Sequence, residues 1–195
     1  MNIYQLEISG VLACFTRPEF KVERMSYEVI TPSACRAIFE AIYWKPQMMW
    51  KIKVIEVLNP IAFTHIKRCE TAATANVYKT EIIAADHRQL RSSLILRDVQ
   101  YRVMAELVSL DGNDEKHNAM FTRRATKGQC FTQPYLGCRE FAANWRLVAE
   151  GEELQPPIDE TRDLGMMLYD LDFTNEKSPE PHFFRAMMTS GVITL

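Results

Sequence analysis

The residues that suggest chemistry lie in one short stretch between Glu115 and Gly128. It has Lys116 and His117 near its start, and from Lys116 through Lys127 it contains four Lys or Arg residues and no acid. Imidazole can donate or accept a proton near neutral pH, whereas lysine and arginine neutralise phosphate charge. Such a stretch is typical of a site that holds a phosphodiester and moves a proton there. The alternative is an ordinary solvated helix surface on which the histidine has no chemical role.

We expect this stretch to form a helix that ends at Gly128, because glycine adopts the left-handed conformation at a helix end without steric cost. At about 3.6 residues per turn, His117 is predicted to share a face with the cations. The predicted cationic face consists of Lys116, His117, Met120, Arg123, Arg124 and Lys127, and the opposite side of Asn118, Phe121 and Ala125.

Length and composition favour one large globular domain or two small ones. The chain has 195 residues, of which 47% are hydrophobic and 25% are charged, and both values are ordinary for folded proteins. No apolar run is long enough to span a membrane, and the first seven residues lack the basic start and apolar core of a signal peptide. These features predict a cytoplasmic protein that does not contact a membrane.

The cysteines do not form a metal-binding or disulfide pattern. They are five in number and widely spaced, no C-x-x-C pair occurs, and the four histidines form no set of ligands with them. Reduced thiols are the default in a cytoplasm. We therefore expect no metal site, no disulfide framework and no cofactor.

Charge is unevenly distributed along the chain. The net charge is −2, but residues 1–139 carry 19 Lys and Arg against 14 Asp and Glu, whereas residues 140–181 carry 3 against 11. A mildly basic body with an acidic C-terminal region can still bind RNA on one face, because the distribution of charge matters more than its sum.

The elements that must position the basic helix alternate between strands and helices. Their order is strand, helix, strand, long strand, helix, strand, which is the split-βαβ (ferredoxin-like) pattern that RNA-recognition modules share. They are predicted as a strand ending at Gly10, a helix over 31–45, a strand over 50–58, a long strand over 94–107, the basic helix and a strand over 137–148.

The first helix has clear end signals. Thr31 can cap it, proline at position 32 suits the first helical residue, and Pro46 disfavours helical geometry in the residue before it. Tyr43 therefore lies at the helix exit. There it is either a core residue with its hydroxyl at the rim or a group that presents this hydroxyl above a neighbouring sheet edge.

The sequence predicts two domains. Residues 1–148 form the α+β, ferredoxin-like (RRM-like) domain, and residues 59–93 within it are predicted to be a β-hairpin insertion. Residues 149–195 begin with an acidic, proline-containing loop and continue with alternating segments over 164–173, 183–188 and 192–195. We expect them to form a small antiparallel β domain packed on the first.

Several spaced motifs together resemble one family over nearly the whole chain. The motifs lie at 26–27, 31–34, 42–46 (IYWKP), 96–101 (LRDVQY), 121–125 (FTRRA), 127–131 (KGQCF), 133–141 (QPYLGCREF), 163–167 (DLGMM) and 183–186 (FFRA). Together they resemble the CRISPR-associated Cas-five proteins of type I-C systems (the Dvulg subtype).

The resemblance implies a fold and a function. Members have a ferredoxin-like, repeat-associated N-terminal domain and a smaller C-terminal β domain. They cleave precursor CRISPR RNA at the base of the repeat hairpin and stay on the 5′ handle of the guide RNA, with the other subunits of the Cascade complex. The functional tyrosine, lysine and histidine of the family match Tyr43, Lys116 and His117 of this chain.

For such an enzyme we expect cleavage without a metal ion, by attack of the RNA 2′-hydroxyl on the adjacent phosphorus. His117 would act as base or acid, Lys116 would offset the extra negative charge, and Tyr43 would orient the 2′-hydroxyl or a phosphate oxygen. The products would be a 2′,3′-cyclic phosphate and a 5′-hydroxyl, and DNA would be spared. The candidate RNA-binding residues are Arg17, Lys21, Arg24, Lys45, Lys67, Arg68, Arg123, Arg124 and Lys127.

Two other functions fit parts of the sequence. A non-catalytic Cascade subunit that only caps the 5′ handle would need the cations but not the histidine. A metal-dependent nuclease acting on DNA would need a carboxylate cluster, for which Asp111, Asp114 and Glu115 are the acids near the basic helix. Charges of a loop and a helix start explain these three acids better.

Overall fold

The computed structural model describes residues 2–20, 22–71, 73, 81–172 and 179–195. Within these ranges no helix is long and apolar enough to cross a membrane. The strands are β1 (Ile3–Ala13), β2 (Met48–Val57), β3 (Phe63–Thr71), β4 (Arg88–Ser109), β5 (Asn144–Leu147), β6 (Arg162–Asp172), β7 (Glu180–Met188) and β8 (Val192–Thr194), and the helices are α1 (Pro32–Ile42) and α2 (Asp114–Thr126), with a 3-10 turn at Ala84–His87.

The main sheet is organised around β4, which is 22 residues long. Its strand order is β5-β1-β4-β2-β8, all neighbouring pairs are antiparallel, and β3 pairs with the beginning of β4. The predicted hairpin over 59–93 therefore corresponds to β3 and the first part of β4; residues 72 and 74–80 lie outside the described residues. Together with α1 and α2, the sheet gives the mixed α+β fold that the sequence predicts.

Both helices pack on one face of the main sheet through a cluster of aromatic rings. Phe121 of α2 lies 4.6 Å from Tyr4 of β1 and 4.6 Å from Trp50 of β2, measured between ring centroids. Phe39 of α1 lies 4.9 Å from Trp50. Truncating such a buried ring to alanine typically lowers the free energy of unfolding by about 3–5 kcal/mol. This cluster therefore contributes strongly to the packing of the two helices on the sheet.

The start of α1 is as predicted, whereas its last helical residue is Ile42 and not Lys45. The Thr31 hydroxyl accepts a hydrogen bond from the backbone N–H of Ala34 at 3.3 Å, and proline is the first helical residue. Tyr43 follows the last helical residue with an extended backbone, while its N–H still bonds the carbonyl of Phe39. The helix thus delivers Tyr43 to its exit in a fixed position.

His117 does not lie on the side of α2 that the sequence predicts. The buried residues of this helix are His117, Phe121 and Ala125, whereas Lys116 is exposed. Residues four apart in a helix share a side, so His117 belongs with the apolar residues and adjacent Lys116 diverges from it by about 100°. The helix end is as predicted, since Gly128 has the left-handed φ of 64°.

The predicted strand over 137–148 is mostly a turn. Gly137 has φ 80°, and a side chain there would put its Cβ 2.1 Å from the carbonyl oxygen of Cys14. The backbone therefore bends at this glycine, and only Asn144–Leu147 pairs with β1 as β5.

The last part of the chain contributes to two sheets. β6 and β7 form a separate antiparallel ribbon, as predicted, and Arg36 of α1 bonds Asp170 of β6 at 2.7 and 2.9 Å. β8 instead extends the main sheet beside β2. The ribbon is held against α1, and the final strand closes one edge of the sheet.

Candidate functional site

The fold brings Tyr43 and His117 together from positions 74 residues apart. The Tyr43 hydroxyl oxygen lies 2.9 Å from Nδ1 of His117, and the two residues are 2% and 3% exposed. Because Tyr43 leaves α1 and His117 lies in the first turn of α2, the contact depends on both helices packing on the same sheet face.

Asp111 holds the other side of the imidazole. Its Oδ1 lies 3.2 Å from Nε2 of His117, and it also accepts hydrogen bonds from Ser109 Oγ at 2.8 Å and the backbone N–H of Asn113 at 3.0 Å. Hydrogen bonds from the side chain and backbone of Asn113, together with Ser109, hold the pKa of Asp111 well below its ordinary value. Asp111 is therefore a carboxylate at neutral pH.

The direction of the hydrogen bonds follows from this charge. A carboxylate can only accept, so Nε2 of His117 carries the hydrogen that faces Asp111. In a neutral imidazole Nδ1 is then an acceptor, and the Tyr43 O–H donates to it. Burial raises the pKa of Tyr43, which keeps the phenol protonated and able to donate. We call this chain of residues, Asp111, His117 and Tyr43, the relay.

Arg124 joins the two helices at the Tyr43 end of the relay. Its Nη1 donates to the carbonyl oxygen of Ile42 at 3.1 Å, and its guanidinium carbon lies 5.7 Å from the centroid of the Tyr43 ring. This carbonyl lies at the C-terminal end of α1, where a cation is favourable. Arg124 thus binds the end of α1, and it forms no ion pair with an acid of the C-terminal region among the residues that the structure describes.

A surface groove of about 610 Å³ begins at Tyr43. One side is formed by α1 and its exit, and the other by Arg124 and the loop after α2. The lining residues are Ala37, Ile38, Glu40, Ala41, Tyr43, Trp44, Lys45, Pro46, Arg124, Phe131, Thr132, Pro134 and Tyr135. A pocket of this size lies within the range of about 300–1,000 Å³ that is usual for ligand sites.

Four predicted cations near the groove and on α2 are free to bind a ligand. Lys45, Lys116, Arg123 and Lys127 are exposed, and none forms an ion pair with another residue in the ranges that the structure describes. Lys116 is adjacent in sequence to His117 but lies on the solvent side of α2. These cations can neutralise phosphates without first losing a protein partner.

A second group of predicted cations assembles around Glu140. Arg24 Nη1 lies 3.2 Å from Oε1 of Glu140, and Arg68 bonds the same oxygen. Although burial opposes its charge, the hydrogen bond from Arg68 leaves the pKa of Glu140 below its ordinary value. We call Arg24, Arg68 and Glu140 the Glu140 cluster.

The remaining predicted RNA-binding residues lie outside both groups. Arg17 stacks over the Tyr27 ring at 4.7 Å and is 3.9 Å from Glu19, and Lys67 is exposed on β3. Lys21 lies outside the described residues. In the described part of the chain, no three His, Cys, Asp or Glu residues are arranged to hold a metal ion.

The sequence matches a known family from residue 3 to residue 195, described as CRISPR-associated protein (Cas_Cas5). The chain belongs to this Cas5 family. It is 44% identical to CRISPR pre-crRNA endoribonuclease Cas5d of Mannheimia succiniciproducens, over 98% of this chain and 94% of that protein. It is 40% identical to the protein of the same name from Thermus thermophilus, over 93% and 79%. The resemblance seen in the sequence motifs is thereby confirmed.

Solved structures share the fold. A crystal structure of a CRISPR-associated protein matches with a TM-score of 0.73 and 25% identity, over 100% of this chain and 91% of the other. A chain of a CRISPR RNA-guided surveillance complex matches with a TM-score of 0.62 and 14% identity, over 99% and 90%. At that identity the second likeness concerns the fold of the Cas5 chain alone.

Two features of this Cas5 site are not predicted by the sequence. The first is the role of Asp111, whose charge the sequence explains as that of a loop, although it is six residues from His117 and belongs to the Ser-Leu-Asp-Gly-Asn turn that precedes the basic helix. The second is the group of aromatic residues Trp44, Phe131 and Tyr135. All three lie in motifs of the family, but these motifs do not show that the three rings share a groove, because the rings meet only when the loop after α2 reaches the end of α1.

Proposed function

We propose that this Cas5 protein is a pre-crRNA endoribonuclease that cuts precursor CRISPR RNA at the base of the repeat hairpin. The observation that carries the proposal is the relay, which runs from an ionised carboxylate through an imidazole to a phenol at the wall of an open groove. Two relatives with at least 40% identity are named CRISPR pre-crRNA endoribonucleases. After cleavage the protein stays on the 5′ handle of the crRNA with other type I-C Cascade subunits.

The reaction is an in-line attack of the RNA 2′-hydroxyl on the adjacent phosphorus. The 2′-oxygen forms a bond to phosphorus, and the bond to the 5′-oxygen breaks. This leaves a 2′,3′-cyclic phosphate and a 5′-hydroxyl. Water protonates the leaving oxygen, and the hydroxide that remains takes up the proton that His117 has received, which restores the neutral imidazole. We propose that the reaction needs no metal ion, because Tyr43 and His117 take up the proton of the 2′-hydroxyl and Lys116 offsets the charge of the phosphorane.

In this mechanism His117 acts through Tyr43. His117 is 3% exposed and both its ring nitrogens are hydrogen-bonded, Nε2 to Asp111 and Nδ1 to Tyr43. Of these two partners Tyr43 is the one that lines the groove, so the proposed contact with the RNA is the Tyr43 hydroxyl. As the 2′-hydroxyl gives its proton to the Tyr43 oxygen, the phenolic proton passes to Nδ1 of His117. The carboxylate of Asp111 stabilises the imidazolium that forms, as in other relays of this kind.

Lys116 and its neighbours stabilise negative charge in this mechanism. Lys116 is exposed beside the relay and can offset the additional charge of the phosphorane, while Arg123, Arg124 and Lys127 bind flanking phosphates. Arg17, Lys21, Arg24, Lys45, Lys67 and Arg68 extend the proposed RNA surface.

The proposed fold class is ferredoxin-like for residues 1–148, with residues 149–195 as a smaller C-terminal β domain. Support comes from the antiparallel strand order β5-β1-β4-β2 and from two helices that pack on one face of this sheet. The β6–β7 ribbon stands apart from the main sheet, whereas β8 joins it, so the second domain would share one strand with the first.

The test is a cleavage assay in EDTA on a labelled repeat hairpin from the CRISPR array of the source organism. We expect wild type to cut it, and His117→Ala and Tyr43→Phe to bind but lose cleavage. His182→Ala and Tyr169→Phe are matched controls, because both residues are exposed on the β6–β7 ribbon. A 2′-deoxy substitution at the cut must block the reaction, and cleavage that requires an added divalent ion contradicts the mechanism.

The second candidate function is a non-catalytic Cascade subunit that caps the crRNA 5′ handle. The burial of Tyr43 and His117 favours it, since a purely structural hydrogen-bonded pair would have the same geometry. Under this function wild type binds the hairpin tightly but releases no cut product under any condition.

A further inference from the structure

The groove beside Tyr43 carries three aromatic residues that the cleavage chemistry does not use. Trp44, Phe131 and Tyr135 are 51%, 84% and 40% exposed. Among the described residues, none of the three forms a ring pair with another aromatic side chain. Large apolar rings left open at the edge of a concave site are features of binding surfaces more than of folding cores.

The backbone around these rings is held in place. The N–H groups of Phe131 and Thr132 donate to the carbonyl oxygen of Ala41 at 2.7 and 3.4 Å, so the loop after α2 occupies the end of α1. Tyr135 pairs with Ala142 in an isolated antiparallel bridge. The rings are therefore exposed although their backbone positions are fixed, which lowers the entropy cost of binding a ligand.

The rest of the groove suits a flat, negatively charged ligand. Ala37 and Ala41 of α1 place small side chains in its wall, and Lys45 and Arg124 supply positive charge. Glu40 is the one acid of the lining, and its charge is engaged by Arg36 at 2.7 Å. Aromatic rings combined with unpaired cations are the standard means of binding single-stranded nucleic acid, by base stacking and phosphate neutralisation.

We propose that this groove binds an unpaired nucleotide of the RNA strand next to the scissile phosphate. Its base stacks on Phe131 and Trp44, and its phosphate is neutralised by Lys45 and Arg124. The proposal rests on the proposed function for one point, namely that the scissile phosphate lies at Tyr43, which belongs both to the relay and to the groove wall. The favoured substrate is then a hairpin with a single-stranded flank and not an isolated duplex.

A binding experiment tests the groove without relying on cleavage. The probe is the repeat hairpin with a 2′-deoxy residue at the cut site and 2-aminopurine at one unpaired flanking position at a time. We expect wild type to quench the fluorescence at one position and Phe131→Ala to abolish the quenching. The same variant should bind the flanked hairpin roughly 5- to 100-fold more weakly, the range that loss of one stacked base produces.

Matched variants separate stacking from general damage. Phe131→Tyr should retain quenching, since a phenol also stacks, and Phe183→Ala, which removes another exposed ring on β7, should behave as wild type. Deleting the flank should weaken wild-type binding at least as much as Phe131→Ala does, and should weaken Phe131→Ala less than wild type, because only the contacts with Trp44, Lys45 and Arg124 are then left to lose.

The outcomes distinguish this inference from the proposed function. If wild type never cuts unmodified RNA but quenching still depends on Phe131, the proposal that the groove binds a nucleotide is supported and the endoribonuclease proposal fails. If Phe131→Ala and Trp44→Ala match wild type in quenching and affinity at every flanking position, the groove proposal is overturned. It is also overturned if these variants lose only their assembly with a protein subunit.

Discussion

The relay and the Glu140 cluster both have an acid and cations close to one another. They differ in whether the cations are already paired with an acid of the protein. At the relay, the buried Tyr43 and His117 form one directed chain with the exposed Asp111. The nearby Lys45, Lys116 and Lys127 have no acidic partner among the described residues. In the Glu140 cluster, Arg24 and Arg68 share one carboxylate. A cation is available to a ligand only when its own protein has not already neutralised it.

This difference has a consequence for RNA binding. A phosphate that approaches Arg24 or Arg68 must compete with Glu140, whereas one that approaches α2 displaces only water and counterions. Partly exposed ion pairs contribute only about 0–1 kcal/mol to stability, so the cluster is not essential for folding either. We therefore expect chemistry at the relay, affinity from α2, and little of either from the cluster.

The largest expected effect separates the two regions directly. His117→Ala should lower the single-turnover cleavage rate by about 10²–10⁴-fold, the usual contribution of a general acid–base group, with little change in RNA affinity. Arg68→Ala should leave that rate nearly unchanged. Equal losses in both variants would mean that the comparison between the regions is wrong.

A smaller loss is expected from Asp111→Asn. The amide can donate a hydrogen bond to Nε2 of His117, and it so favours the tautomer that cannot accept the Tyr43 proton. We expect the cleavage rate to fall by about 10- to 100-fold, which is at or below the loss caused by removing the base itself. Asp114→Asn, on the exposed first turn of α2, is the matched control. Nitrogen NMR of the histidine should show hydrogen on Nε2 in wild type and on Nδ1 in Asp111→Asn.

The pH dependence follows from the same carboxylate. The pKa of Asp111 is held far below its ordinary value, so the carboxylate is charged above that ordinary value and loses its charge only in strong acid. Asp111 therefore does not set the acidic limb of the rate profile. Asp111→Asn should lower the plateau of a cleavage profile recorded between about pH 5 and 9, whereas a shift of the acidic limb alone would contradict this role.

Salt dependence should distinguish free from paired cations. Removing Arg123 and Lys127 together should reduce the slope of log affinity against log salt concentration by about 0.7–0.9 for each phosphate that is no longer neutralised. Removing Arg24 and Arg68 together should change the slope less, because both are already paired with acids of the protein, Arg24 with Glu140 and Arg68 with Glu140 and Glu70. Titrations of the uncleavable hairpin at several salt concentrations measure both slopes.

The smallest effect is expected from Glu140→Gln. This change removes the acidic partner of Arg24 and one of the two acidic partners of Arg68, whose pair with Glu70 remains, and it hardly alters the volume of the side chain. RNA affinity should therefore rise by about 2- to 5-fold, in line with the modest energy of such pairs. Unfolding should be affected only slightly. A marked fall in RNA affinity would show that Glu140 positions the arginines for RNA instead of competing with it.

Much of the fold could be predicted because its signals are local. The alternation of β1, the Thr31 cap of α1 and the left-handed Gly128 after α2 each depend on neighbours in sequence. The short β5 could not be predicted, because the bend at Gly137 is caused by the carbonyl of Cys14, which is distant in sequence.

The site was predictable only in part for the same reason. Resemblance identified Tyr43 and His117, and the fold places them in contact. The helical wheel gave the wrong face for His117, because it treats a histidine as polar when the neighbouring Tyr43 and Asp111 make burial possible. The groove of Trp44, Phe131 and Tyr135 depends on the junction of two helix ends, which no single stretch of sequence contains.

The separation of Tyr43 and His117 by 74 residues also matters during translation. A ribosome that has released α1 has not yet made the histidine, the aspartate or the loop that completes the groove. A nascent chain therefore has no relay until α2 has emerged and docked. Under the proposed function, synthesis products that end before α2 are therefore expected to be unable to cleave RNA.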